Sequence, residues 1–250
     1  MNDLAADALL AEAIAQEAGK LLRAITRGAR CSAAELGRRG DMEANALILE
    51  RLRAARPDDF ILSEEADDDG LRCAARRVWI VDPLDGTRDY GDGRDDYAVH
   101  IGLAVDGVPV VGAVTLPASG TTFSSLHPPP LPHGNVVRPR IAISRTREPA
   151  VAAAVARALD GILVPMGSAG VKAMAVLTGM AEIYLHTGGQ YEWDNCAPAA
   201  VAMAAGLHAS RVSGAPLVYN CADPTLPDVL ICRAEWAAPT LAALAAAGKP

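Results

Sequence analysis

Apolar positions in the first fifty residues recur at helical spacing, and those further on bunch into short β-branched runs. Residues 1–28 carry Ile14, Leu21, Leu22 and Ile25 near one stripe. This predicts an amphipathic helix over 3–26 with Asp3 as its N-cap. Residues 26–40, rich in Arg and Gly, read as a mobile loop. A second helix then starts at Asp41, a capping residue type, and carries Leu47, Ile48 and Leu52 ahead of Pro57. Residues 60–63 and 78–81 read as buried strands. Residues 97–105 and 108–116 pattern as a hairpin turned at Asp106-Gly107. The Pro128-Pro129-Pro130 and Pro132 stretch marks 124–140 as a linker, and His127 and His133 within it as exposed loop residues.

Beyond the linker the pattern alternates. Strands are predicted at 141–144, 162–165 and 182–186, with helices at 149–159, 168–177 and 194–205. Short strands at 207–212 and 229–232 precede a terminal helix from Glu235. Such alternation predicts a three-layer α/β half. The chain divides into an N-terminal half, 1–138, and a C-terminal half, 139–250.

Composition narrows the function. Hydrophobic residues make up 51% of the 250, much of that alanine, so helices with small faces are expected. No apolar run approaches the ~20 residues of a membrane span, and the N-terminus is not patterned as a secretory signal. The expectation is a soluble cytoplasmic protein with no membrane partner. The net charge of −7 argues against nucleic acid, which requires a basic surface. Five scattered cysteines without a CxxC pair argue against a disulfide framework and a zinc site. Cys196, two residues after Asp194, reads as a small buried residue near a candidate site.

The chemistry concentrates between Val78 and Tyr90. The apolar run Val78-Trp79-Ile80-Val81 ends at Asp82; Pro83 ends its ladder, and Asp85, Gly86 and Thr87 follow at once. Two carboxylates and a hydroxyl are thereby delivered at a strand end, where α/β proteins place ligands. Hard oxygen donors clustered there suit Mg²⁺. Taken alone, the run reads as an ordinary turn. Two further acidic signals change that: Ser63-Glu64-Glu65 closes the preceding strand, and Trp193-Asp194 opens a later helix. Asp67-Asp68-Asp69-Gly70 reads instead as a solvated loop.

Ser63-Glu64-Glu65, then Asp82-Pro83-Leu84-Asp85-Gly86-Thr87, then Trp193-Asp194 before an alanine-rich helix resemble the inositol monophosphatase superfamily. These are Mg²⁺-dependent, lithium-sensitive phosphomonoesterases. The resemblance runs from the first helix to the last strand. Within the superfamily the chain is most similar to the CysQ type, the 3′(2′),5′-bisphosphate nucleotidases, and to actinobacterial members in particular. The segments behind this narrower likeness are Gly167-Ser168-Ala169-Gly170-Val171-Lys172, Gly189-Gln190-Tyr191-Glu192-Trp193-Asp194 and Pro216-Leu217-Val218-Tyr219-Asn220.

The resemblance implies an αβαβα sandwich shared with fructose-1,6-bisphosphatases, and two or three Mg²⁺ ions per site. By matching positions, Asp82 bridges two ions, Glu64 and the Leu84 carbonyl complete the first, and Asp85 and Asp194 hold the second. Asp41 serves a third ion or its water, with Glu65 nearby. Thr87, with Glu64 or Asp41, orients the attacking water. The Gly86 and Thr87 amides receive the transferred phosphate, and Tyr90 packs where Phe is commoner. Ser144 and Arg145 resemble the pair that takes a second phosphate. Ser168 and Lys172 suit ribose or phosphate contacts, although Lys172 reads equally well as a solvated helix residue, and Tyr219 suits adenine. Pro198 is expected in or just after the first turn of its helix. The implied substrate is adenosine 3′,5′-bisphosphate, giving AMP and phosphate and recycling a by-product of sulfate assimilation. Inositol 1-phosphate and fructose 1,6-bisphosphate fit the same core, and a homodimer is common in the family.

Two rival readings fit less well. A haloacid-dehalogenase site needs two Asp separated by one residue, whereas Asp82 and Asp85 are separated by two. The remaining rival is a non-catalytic acidic module binding Ca²⁺ or a nucleotide. Asp89-Tyr90-Gly91-Asp92-Gly93 does not match an EF-hand loop.

Overall fold

The structure is a computed structural model that describes residues 4–134, 136–146 and 150–248. Helix α1 (Leu4–Gly28) buries Ile14, Leu22 and Ile25 along one stripe. The expected cap Asp3 lies outside the described residues. After a four-residue link, Ser32 caps helix α2 (Ala33–Ala55), its hydroxyl accepting the Glu35 amide at 3.3 Å. Residues 26–40 are therefore mostly helix rather than a loop, and Asp41 sits mid-helix rather than at a cap. The glycines taken for breakers are points of close approach. A Cβ on Gly37 would lie 2.8 Å from the Thr87 methyl, and one on Gly40 2.8 Å from the Tyr90 ring.

The first sheet runs in the order β1 (Phe60–Ser63), β2 (Arg77–Asp85), β3 (Ala98–Val105), β4 (Val108–Leu116) and β5 (Thr121–Ser124). Strand β2 extends past the expected end at Val81 because an irregularity between Asp82 and Asp85 lets it pass Pro83 and resume pairing with β3. The expected hairpin forms at Asp106 and Gly107, both with positive φ. Strand β5 was not anticipated. Between β1 and β2 lies a 3₁₀ turn (Leu71–Ala74), and helix α3 (Thr87–Gly91) follows β2 directly.

The second sheet orders β7 (Ile162–Met166), β6 (Arg140–Ser144), β8 (Ile183–Tyr191), β10 (Thr225–Cys232) and β9 (His208–Ser210). Its helices are α4 (Ala150–Ala158), α5 (Ala169–Leu177), α6 (Glu192–Ala204) and α7 (Ala234–Ala246). The expected start of α4 at Pro149 lies outside the described residues. Strand β8 extends five residues beyond its expected end, to Tyr191.

Packing gives five layers. Helices α1 and α2 cover one face of the first sheet. Helices α5 and α6 fill the space between the sheets, and α4 and α7 cover the far face of the second. This is an αβαβα sandwich. Alanine dominates α6 because the first sheet presses on it: a Cβ on Gly112 would lie 2.3 Å from the Ala197 carbonyl. Pro198 is the seventh residue of α6, not a first-turn residue, so the Asp194 carbonyl lacks its helical donor. Among the described residues no helix is long and apolar enough to cross a membrane.

Candidate active site

The floor of the site is built where β2, α5 and α6 meet. Carboxylate oxygens of Asp82, Asp85 and Asp194 lie within 4.8 Å of one another. Each of the three has one oxygen held by the protein. Asp82 Oδ1 accepts the Leu84 amide at 3.0 Å. Asp85 Oδ2 accepts the Ser168 hydroxyl and, at 2.8 Å, the Gly170 amide. Asp194 Oδ2 accepts the Tyr191 amide at 2.6 Å, capping its own helix. Asp82 also shares a hydrogen bond with Glu64. Three hard anionic donors oriented in this way fit a divalent cation.

Burial, and then mutual repulsion, raises the proton affinity of Asp82, Asp194, Glu64 and Asp41. Burial pushes Asp82 well above the usual carboxylate range, and Glu64, Asp85, Asp194 and Asp41 add repulsion. Asp194 is raised to about 7 by burial and then by Asp85. Glu64, at the open lip beyond β1, is raised to about 7 by desolvation, then by Asp41, Asp85 and Glu65. Asp41 projects from α2 and is raised to about 7 by burial and Glu65, against the Thr87 hydrogen bond. Such a cluster stores repulsion that a bound cation relieves.

Thr87 sits on this lip. Its hydroxyl donates to the Leu84 carbonyl at 3.0 Å and lies 3.4 Å from Asp41 Oδ1. Gly86, in left-handed conformation, turns the chain from β2 into α3. The Tyr90 ring is buried, and its hydroxyl donates to the Leu22 carbonyl at 2.9 Å. Asn45 fixes the Glu64-Glu65 turn by accepting the Ser63 hydroxyl at 2.8 Å and donating to the Glu65 carbonyl at 3.2 Å.

The expected specificity residues are differently employed. Arg145 is not a free fork: its guanidinium binds Asp89 at 2.5 Å and also Asp96, which accepts the Gly167 amide at 3.0 Å. Ser144 Oγ lies 3.3 Å from the Thr146 hydroxyl at the end of β6. Ser168 spends its hydroxyl on Asp85 and accepts the Val171 amide at 3.1 Å as the cap of α5. Lys172 is neither solvated nor open to the cleft. It is buried, its ammonium donates to the Gly167 and Ser168 carbonyls, and burial lowers its pKa against the pull of Asp85 and Asp194. Tyr219 is 2% exposed, and its hydroxyl donates to Asn195 Oδ1 at 2.6 Å, so it offers no face to a base. Cys196 is buried and its thiol pushed strongly up by burial, which leaves it inert.

His100 was missed by the sequence reading. It is fully buried on β3, opposite Asp82. Its Nδ1–H donates to the Trp193 carbonyl at 3.1 Å, and Nε2 lies 3.3 Å from Asp85 Oδ2. Gly170 makes room for it, since a Cβ there would fall 2.1 Å from Nε2. The pairing of β2 with β3 sets His100 beside Asp82, and because α3 and a loop separate these strands in the chain, no local pattern disclosed it. Glu192 was also missed: buried, it accepts the Asn220 and Cys221 amides at 2.7 and 2.8 Å and so anchors the 219–221 loop.

Residues 3–246 match the inositol monophosphatase family. The chain belongs to that family. Among its relatives, a Mycobacterium tuberculosis protein named 3′-phosphoadenosine 5′-phosphate phosphatase is 52% identical, covering 84% of this chain and 82% of the relative. A Mycobacterium leprae protein of the same name is 47% identical, covering 92% and 90%. The crystal structure of CysQ from Bacteroides thetaiotaomicron superposes with a TM-score of 0.78 at 24% identity, covering 91% of this chain and 97% of that one. That likeness supports the αβαβα fold of the family.

Proposed function

We propose that this inositol monophosphatase family member is a Mg²⁺-dependent phosphomonoesterase that removes the 3′-phosphate of adenosine 3′,5′-bisphosphate, giving AMP and phosphate. The convergence of Asp82, Asp85 and Asp194, each with one oxygen prearranged, carries the metal-dependent part. The mycobacterial relatives at 47 and 52% identity, by their names, support the substrate.

Asp82, Asp85 and Asp194, with Glu64, the Leu84 carbonyl and Asp41, would hold two or three Mg²⁺ ions. When bound, these supply positive charge to the phosphoryl oxygens and acidify a nearby water. The chain's own residues do the rest. The Thr87 hydroxyl, fixed on the Leu84 carbonyl, accepts a hydrogen bond from the attacking water. Glu64 or Asp41 orients that water together with Thr87 and takes its proton as its oxygen bonds to phosphorus. The P–O3′ bond breaks on the opposite side, and the leaving 3′ oxygen takes a proton from solvent. The Gly86 and Thr87 amides receive the transferred phosphate. Residues 1–138 supply most of the charge, and 139–250 supply Asp194 and the substrate contacts of Ser144 and Arg145. A second phosphate at Arg145 would replace one of its two carboxylate partners.

A panel of phosphate esters at one Mg²⁺ concentration tests this reading. Adenosine 3′,5′-bisphosphate should give the highest kcat/KM, above inositol 1-phosphate and fructose 1,6-bisphosphate. A higher value for either of those two would overturn the substrate and spare the phosphatase.

A further inference from the structure

With Tyr219 buried, the base of a nucleotide needs another partner. Tyr191 and Trp193 stack in parallel, with ring centroids 4.7 Å apart and planes 5° from one another. Trp193 is partly buried and packs against the core between the sheets. Tyr191 is 43% exposed. One face of the tyrosine is therefore backed by the indole, while the residue remains exposed. Its backbone is pinned on both sides: Tyr191 pairs with Thr225 of β10, and its amide binds Asp194 at 2.6 Å. The residue that carries this stacked ring is thus tied through its backbone to Asp194 of the carboxylate cluster.

We propose that the open face of Tyr191 is the platform on which the nucleobase stacks. This rests on the nucleotide reading above. In a 3′-phosphorylated nucleoside the base and the scissile phosphate hang from the same ribose, so an exposed aromatic residue whose amide holds Asp194 suits a base whose phosphate lies on the floor. Stacking needs only a π-face and tolerates any base. The specificity conferred is for having a base, with adenine and guanine served alike.

Full-length protein carrying Tyr191→Ala or Tyr191→Phe tests the platform against adenosine 3′,5′-bisphosphate, guanosine 3′,5′-bisphosphate and the base-free inositol 1-phosphate. Tyr191→Ala should raise KM for both nucleotides by about 10- to 100-fold with little change in kcat, and leave inositol 1-phosphate unchanged. Tyr191→Phe should restore the nucleotide KM. Equal losses on all three substrates, or an unchanged nucleotide KM, would overturn the platform. Calorimetric titration of AMP with Mg²⁺ present separates the two readings. AMP affinity that falls in Tyr191→Ala supports the platform even if the bisphosphate is turned over poorly. AMP that binds wild type and Tyr191→Ala equally, or binds neither, sinks it while leaving bisphosphate hydrolysis intact.

Discussion

The two sheets contribute unlike things to one site. The first brings charge: Asp82 and Asp85 stand on β2, Glu64 lies just beyond β1, and Asp41 comes from the helix packed over them. The second brings one carboxylate, Asp194, and most of the donors that restrain the rest. Ser168 and Gly170 hold Asp85, and the Tyr191 amide holds Asp194. Arg145 and the Gly167 amide grip Asp89 and Asp96 across the same seam. Charge alone would repel itself apart; donors alone would bind nothing. The site is complete only where the sheets meet.

The largest effect should come from removing a ligand on either side. Asp85→Asn and Asp194→Asn should each lower kcat by more than about a hundredfold, since even an outer partner of a metal ligand is worth 10- to 100-fold. Circular dichroism should show both variants folded. Near-normal turnover in Asp194→Asn at low Mg²⁺ would mean that the second sheet contributes no ligand.

Removing restraint rather than charge should have a smaller and different signature. Ser168→Ala and His100→Asn should raise the Mg²⁺ concentration needed for half activity by about 10- to 100-fold, and kcat should largely recover at saturating Mg²⁺. His100→Asn keeps a donor for the Trp193 carbonyl and loses the contact with Asp85, so it isolates that contact. A kcat deficit that no Mg²⁺ concentration repairs would place these residues in the chemistry instead.

Arg145→Ala should raise KM for adenosine 3′,5′-bisphosphate by about tenfold, the value of a charge-assisted contact. Inositol 1-phosphate, with no second phosphate, should be little affected. Equal losses on both would make Arg145 a brace between Asp89 and Asp96 and nothing more.

The smallest effect is on stability. Asp41, Glu64 and Asp194 have pKa values raised to about 7 in the fold, above the carboxylate range of an unfolded chain. Their contribution is full at low pH, where both states hold the proton. It is lost as pH rises through about 7, where the folded state must ionise crowded groups. The metal-free protein should therefore lose Tm between about pH 5 and pH 8, and the rise in Tm on adding Mg²⁺ should be greater at the higher pH. A Mg²⁺ shift independent of pH would show that the raised carboxyls are not the ones that meet the metal.

The two regions also differed in how far the chain revealed them. Asp82, Asp85 and Thr87 fall within six residues, so local strand and turn patterns disclosed them. The layering of the C-terminal half followed from the alternation after residue 140, and the full sandwich only from the family resemblance. Long-range geometry was hidden. Gly37 and Gly40 read as loop residues because their reason for being small, contact with Thr87 and Tyr90, lies some fifty residues away. Arg145 and Tyr219 have the side chains of ligand-binding residues, yet their partners Asp89, Asp96 and Asn195 are distant in the chain, and only the fold buries Lys172 on its own helix start. Tyr191 stood inside a quoted motif and went unread, because stacking on Trp193 requires the turn from β8 into α6 that only the fold supplies.

The central claim is most directly tested by following adenosine 3′,5′-bisphosphate with phosphorus NMR in the presence of the protein, with Mg²⁺ and then with Mg²⁺ chelated. The account predicts loss of the 3′-phosphate resonance, appearance of inorganic phosphate and AMP in equal amounts, and arrest on chelation. Accumulation of adenosine 3′-monophosphate, or hydrolysis that continues at the same rate without divalent metal, would contradict it.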